Sequence, residues 1–385
     1  MKRNEFLKLA GAAAGWSVLS AGKGLGGPLE SAARDSLGGR QGRTRISVEL
    51  LDLELSHAWG LSRGTWTTRR NCYVKVERGG VAGIGEAAPI ARYQETAEGA
   101  ASFIERARPE LENDLWEYVS RWNAIEALAP GEHAAKAALD MAILDWVGKS
   151  LGVPLWKLLG LSRNGALSTT YSIGIDAVPV MQQKVREASR FRVYKIKVGT
   201  PDDRKIIEGI RAVTDKPLRV DANEGWTSKE QALEMIEWMA GMGVEIVEQP
   251  MPAASLEDYA WLKERTKLPI FADESLMKSS DLPRIAPYFH GVNIKLMKCG
   301  GVQEAVRMAA MARALGLRLM IGCMIESSLA VSAGAAVIPL FDYADLDGNL
   351  LIRNDPFRGV RTVGDVLELN DRPGLGVEGD VWSQA

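Results

Sequence analysis

From Arg45 onward the apolar positions change rhythm once. The stretches RISVELLDLEL, NCYVKVE and GVAGIGEA read as strands of a meander, with glycines at the turns. Three stretches near 95–112, 115–128 and 132–150 then carry helical spacing. The last, AAKAALDMAILDWVGKSLG, ends on Gly152, a helix-stop signal. This predicts an α+β unit over 45–166.

Beyond it, short apolar runs alternate with amphipathic helices. The runs are STTYSIGI, VYKIKVG, LRVDANE, EIVEQP, IFADES, VNIKLMK, RLMIGCM and YADLDG; SKEQALEMIEWMAG and VQEAVRMAAMARALG are two of the helices. Eight strands alternating with helices predict an α/β fold, a parallel barrel of the TIM type over 167–348. An open doubly wound sheet is the alternative. The segment 349–385, with its prolines and glycines, is expected to return to the first unit.

Composition narrows the chemistry. With 385 residues, 46% hydrophobic and 25% charged, and a net charge of -2, the chain is an ordinary globular protein with no basic excess for nucleic acid. Cys72, Cys299 and Cys323 are too scattered for a disulfide framework, and no zinc spacing occurs. The three histidines stand alone and read as structural. Catalysis must rest on carboxylates and lysines.

The start is different. MKRNEFLK is basic, LAGAAAGWSVLSAG is an apolar run too short to span a bilayer, and ESAA, ending at Ala33, offers a cleavage site. Arg3, Phe6 and Leu7 resemble a twin-arginine export signal, with Asn4 in place of the second arginine. Residues 1–44 are therefore expected to be an export signal and linker, with a periplasmic destination; a plain N-terminal extension on a cytoplasmic protein is the alternative.

The strand ends carry the candidate chemistry. Lys195 and Lys197 share one face of the second barrel strand. Asp221 and Asn223 end the third, Glu248 the fourth and Asp273 the fifth, and Lys295 lies on the sixth. Successive steps from Lys197 are 24, 27, 25 and 22 residues, each about one β/α unit, so one rim of the barrel gathers them all. Three converging carboxylates require a cation. Hard oxygen ligands with room left for substrate suit Mg²⁺, with Mn²⁺ as the alternative.

Lys197 and Lys295 then face each other across the metal. One is placed to remove a proton beside a metal-bound carboxylate and the other to return it on the opposite face, through a metal-stabilised enediolate. Lys195 would add positive charge near the enolate and lower the pKa of its neighbour.

These motifs resemble the enolase superfamily, muconate-lactonizing-enzyme subgroup. YKIKVG, VDANEGW, VEQP, ADES and NIKLMKCGG match its strand ends, and the likeness runs from about residue 45 onward. The resemblance implies a capping domain over a (β/α)₇β barrel, Asp221, Glu248 and Asp273 as Mg²⁺ ligands, and Lys197 and Lys295 as the acid/base pair. It also implies homo-oligomers. Lys298 lies off the matching position and, at period two, is expected to point away from Lys295.

GCMIESS followed by YADLDG is similar to the dipeptide epimerases, in which an Asp-x-Asp grips the free ammonium of the dipeptide; Asp345 and Asp347 stand there. The loop HAWGLSRGTW of the cap is expected to cover the mouth. Arg63 in it would meet an acidic side chain, while Trp59 and Trp66 would suit an apolar one. GIGEAA, at 83–88, superficially matches a dinucleotide fingerprint but lacks the crossover helix.

The expectation is a Mg²⁺-dependent dipeptide epimerase, fitting an exported enzyme acting on cell-wall-derived dipeptides. A lyase or cycloisomerase resembling o-succinylbenzoate synthase or muconate cycloisomerase, an N-acylamino acid racemase, and a non-catalytic peptide binder are the alternatives. None of these needs both the lysines and the paired aspartates.

Overall fold

A computed structural model of the chain describes residues 43–163 and 167–383. The expected export signal lies outside the described residues, as does nearly all of the linker. No helix among the described residues is long and apolar enough to cross a membrane.

The cap opens with an antiparallel sheet of β1 (Arg45–Leu61), β2 (Gly64–Arg78) and β3 (Val81–Ala87), in that order. The segment expected as a loop is instead a strand hairpin. β1 and β2 stay paired to the end, with Trp59 opposite Trp66 and Leu61 opposite Gly64. Tryptophans and threonines favour extended pairing, so the sheet runs on until Ser62 and Arg63 make the turn. A register shift between Glu54 and Trp59 bends the hairpin.

Three helices follow: α1 (Ala97–Leu111), α2 (Tyr118–Ala127) and α3 (His133–Leu151). α3 is buried from Ala134 to Gly148 because it lies between the cap sheet and the barrel. GIGEAA falls within β3 and explains its own glycines. A Cβ on Gly83 would lie 2.0 Å from the Ala142 carbonyl, and one on Gly85 1.9 Å from that of Ala138. Strand and helix touch backbone to backbone.

The barrel strands are β4 (Tyr171–Ile173), β5 (Tyr194–Lys197), β6 (Leu218–Asp221), β7 (Val244–Glu248), β8 (Ile270–Ala272), β9 (Gly291–Lys295), β10 (Arg318–Gly322) and β11 (Tyr343–Asp345). They pair in sequence order and in parallel. The ring closes: Thr170 N donates to the Ala344 carbonyl at 3.2 Å, and Leu346 N to Thr169 Oγ1 at 2.8 Å. The open sheet is thereby excluded. Inside the ring Ile246, Phe271 and Met320 form an apolar plug.

The longer helices flanking the strands include α4 (Val178–Glu187), α5 (Asp203–Arg211), α6 (Lys229–Gly241), α7 (Leu256–Lys263), α8 (Val302–Ala314) and α9 (Ser328–Ala336). Two of them start on carboxylates from the cap. Glu86 of β3 accepts from Ser327 N at 2.9 Å and Ala330 N at 3.2 Å at the head of α9. Asp140 of α3 accepts from Gln303 N at 3.1 Å and Gln303 Nε2 at 2.6 Å at the head of α8, whose own N-cap is Gly301. Each satisfies N–H groups that a helix start leaves open.

Beyond β11 the chain runs along the cap. Asn354 bonds Glu54 N at 2.8 Å and the Asp52 carbonyl at 2.9 Å, and Leu375 N donates to Asp145 Oδ1 at 2.8 Å.

Candidate active site

Parallel register sets the level of the site. Lys197 pairs with Asp221 and Asp221 with Glu248; Gly322 lies between Lys295 and Asp345. All are at the C-terminal ends of their strands, the rim where barrel enzymes work. The cap hairpin covers this rim and encloses a cavity of about 360 Å³, within the usual range for small-molecule sites. Lys195, Lys197, Lys295, Asn223, Asp273, Asp345 and Asp347 line it from below, and Trp59, Arg63, Trp66 and Arg69 from the cap.

Asp221, Glu248 and Asp273 place one carboxylate oxygen each within 4.8 Å of one another, all buried. Burial, and then the charge of Asp221, push the Glu248 carboxyl up to about 8. Burial opposes ionisation of Asp221 too, yet Lys197 and Lys195 hold it well below the usual range. Three buried hard oxygen donors that repel one another are a fitting seat for a small divalent cation.

The lysines surround the carboxylates. Lys197 Nζ lies 2.6 Å from Asp221 Oδ2 and Lys295 Nζ 2.8 Å from Asp273 Oδ2. Lys195 Nζ reaches three acids: Asp345 Oδ2 at 2.6 Å, Glu248 Oε2 at 2.9 Å and Asp221 Oδ2 at 3.2 Å. Burial would lower its pKa, but these acids hold it well above the usual lysine value. Lys195 thus carries a fixed positive charge.

Lys298 corrects the sequence expectation. It does not point away: its Nζ donates to the Asp273 carbonyl at 2.6 Å and to Oδ1 of the same residue. The strand ends at Lys295 and the chain turns into the short helix Leu296–Cys299, so strand period two no longer applies and Lys298 reaches Asp273 from outside the cavity. Gln249, also missed, fixes the start of the Asp273 loop, its Oε1 accepting from Asp273 N at 2.8 Å and Ser275 N at 3.1 Å. Asn223 adjoins the carboxylate cluster, donating N to Asp221 Oδ1 at 3.0 Å and Nδ2 to Glu274 Oε1 at 3.1 Å.

Asp345 and Asp347 both line the cavity but differ. Asp345 is held by Lys195 and by Thr170 Oγ1. Asp347 is bonded by Ser172, whose N donates at 2.6 Å and whose side chain also assists, yet burial followed by the Asp345 charge pushes its carboxyl up to about 7. A ligand cation would relieve that strain.

Arg63 is less available than the sequence suggested. Its Nη1 donates to Glu274 Oε1 at 2.9 Å and lies 3.3 Å from Glu224 Oε2, so the barrel's own carboxylates neutralise it. Glu274 lies within ADES beside Asp273, but the sequence assigns it no role. The histidines take no part: none lines the cavity. The cysteines are free thiols, of which Cys323 borders the cavity.

Fold and site together define an enzyme that binds a divalent cation and handles a proton beside a carboxylate. Residues 45–160 match the mandelate racemase / muconate lactonizing enzyme N-terminal domain, and residues 180–383 the enolase C-terminal domain-like family. The chain belongs to the enolase superfamily, in its mandelate racemase/muconate-lactonizing subgroup.

It is 41% identical over 377 residues to the L-Ala-D/L-Glu epimerase of Bacteroides thetaiotaomicron, covering 97% of this chain and 98% of that one. The substrate-liganded L-Ala-D/L-Glu epimerase of Bacillus subtilis superposes with a TM-score of 0.83 at 30% identity, over 88% of this chain and 99% of that one. The N-succinyl Arg/Lys racemase of Bacillus cereus reaches the same TM-score at 28% identity, over 88% of this chain and 96% of that one. Overall shape therefore does not choose among substrates; the residues in the cavity must.

Proposed function

We propose that this protein is a Mg²⁺-dependent epimerase of dipeptides, inverting one α-carbon by moving a proton between Lys197 and Lys295. The observation that carries it is the pairing of this lysine couple with Asp345 and Asp347 in one cavity. A racemase of N-acylated amino acids, or a cycloisomerase of carboxylic acids, has no free α-ammonium for two buried aspartates opposite the metal site to bind.

Asp221, Glu248 and Asp273 would hold the Mg²⁺, which when bound offsets negative charge growing on the substrate carboxylate. Lys197 and Lys295 stand on opposite sides of this triad. The neutral lysine takes the α-proton from one face, and the ammonium of the other gives a proton to the opposite face. Asp221 and Asp273 hold the two side chains in place. Lys195, firmly charged, stabilises the developing anion, and Asp347 binds the free ammonium. Trp59, its ring centroid 5.8 Å from Lys197 Nζ, covers the base and limits water.

Incubation of the protein with pooled L,L-dipeptides in D₂O and Mg²⁺ tests this. Substrate should gain one deuterium and lose optical purity. Lys197→Ala and Lys295→Ala should each lower epimerisation by about 10²- to 10⁴-fold while dipeptide still binds. Exchange persisting in both variants would sink the two-base assignment.

Self-assembly into homo-oligomers and export to the periplasm are separate proposals, supported by the resemblance and by the basic-apolar start. Sedimentation, and the cellular fraction holding the protein after Arg3→Ala, decide them.

A further inference from the structure

Six cationic side chains line the cavity: Arg63, Arg69, Arg92, Lys195, Lys197 and Lys295. Five are paired with acids. Arg63 and Arg92 share Glu224, and Arg63 also holds Glu274; the lysines hold Asp345, Asp221 and Asp273. Arg69 alone makes no ion pair or hydrogen bond among the described residues. Its guanidinium lies 4.2 Å from the centroid of the Trp66 ring. Burial lowers its pKa to about 10, and no carboxylate offsets that. A half-buried cation with nothing to donate to is a receptor for an anion.

Register shows which part of a substrate it would meet. Arg69 pairs across the sheet with Leu53, which belongs to an apolar cluster with Ile325 and Leu351. Asn71, two residues on and on the same face, donates to the Ile325 carbonyl at 3.1 Å. Ile325 follows β10 and Leu351 follows β11. Arg69 therefore stands over the quarter of the rim that holds Asp345 and Asp347. Arg63 stands over the quarter of Asn223 and Glu274, beside the metal carboxylates.

We propose that Arg69 forms a subsite for an acidic side chain on the N-terminal residue of the dipeptide, the residue whose ammonium meets Asp347. This rests on the dipeptide reading above. In that pose the carboxylate end lies at the metal site, the free ammonium at Asp347, and the neighbouring side chain rises between Trp66 and Leu351 to the unpaired guanidinium. A charge-assisted bond in this apolar surround selects an acidic residue over an alanine.

The test compares kcat/KM for deuterium exchange of L-Glu-L-Ala, L-Lys-L-Ala, L-Ala-L-Glu and L-Ala-L-Ala by the wild type, Arg69→Gln and Arg69→Glu, all with Mg²⁺. Ratios between substrates are taken within each variant, so any loss of folded protein cancels. The wild type should prefer L-Glu-L-Ala to L-Ala-L-Ala. Arg69→Gln should cut that ratio by about 10- to 100-fold, and Arg69→Glu should turn preference toward L-Lys-L-Ala. A wild-type ratio near one, a ratio unchanged in Arg69→Gln, or an Arg69-dependent preference for L-Ala-L-Glu instead each overturns the subsite alone. No exchange with any dipeptide overturns the epimerase reading and the subsite with it.

Discussion

Lys195 Nζ and Asp345 Oδ2 meet at 2.6 Å across β4, the strand that separates their own. The same ammonium touches Glu248 and Asp221. One lysine therefore joins the cation-binding carboxylates to the aspartate pair on the other side of the cavity.

Replacing it should expose that dependence. Lys195→Met leaves three buried carboxylates short of a counter-charge, a change that typically costs about 3–5 kcal/mol. Urea unfolding in EDTA should show this loss, and Mg²⁺ should restore more stability to the variant than to the wild type. Equal stability of the two proteins in EDTA would show that the contact contributes nothing.

Lys298 predicts a different signature. It grips the backbone and the carboxylate of Asp273 but does not line the cavity. Lys298→Met should weaken Mg²⁺ binding by about 10- to 100-fold, as for other groups that orient a metal ligand. Activity at saturating Mg²⁺ should recover in part. Calorimetric titration with Mg²⁺ checks the first point, and an unchanged affinity would confine Lys298 to packing.

Gly85 tests the reading of the GIG stretch. A methyl group there would lie 1.9 Å from the Ala138 carbonyl, which sits in a helix and cannot swing aside. Gly85→Ala should cost about 1–3 kcal/mol or more by forcing β3 from α3. Thermal unfolding measures it. A neutral substitution would mean that the contact relaxes freely.

Asp140 gives a pH dependence away from the catalytic rim. Burial pushes its carboxyl up to about 6, against the hydrogen bonds from Gln303. In the unfolded chain it ionises near the ordinary value of about 4. Between these values the folded state binds more protons, so stability falls as pH rises from about 4 to about 6 and then levels. The full difference is about 3 kcal/mol. Asp140→Asn stays neutral throughout, and the wild-type-minus-variant stability should fall across that window. A flat difference would show that Asp140 titrates normally.

The catalytic rim was legible because parallel strands repeat at near-constant chain distance, so residues such as Asp221, Glu248 and Asp273 betray one level by spacing alone. Lys298 was misread because period two stops where the strand stops, and the helical turn after Lys295 has no separate signal. The cap hairpin looked like a loop because its polar residues hid the cross-strand pairing of Trp59 and Trp66. Arg63 had a plausible role only while Glu274 was unseen; an ion pair joining residues this far apart in the chain leaves no local pattern. For the same reason nothing marked Glu86 or Asp140 as helix caps.

Those two acids bear on how such proteins can be recombined. Two barrel helices begin on carboxylates that the barrel itself does not encode. A roof transplanted from a relative to change substrate choice must bring an acid to both places, or α8 and α9 each lose acceptors at their first turn. Specificity and folding are in this way written into the same segment, and the roof is not an interchangeable part.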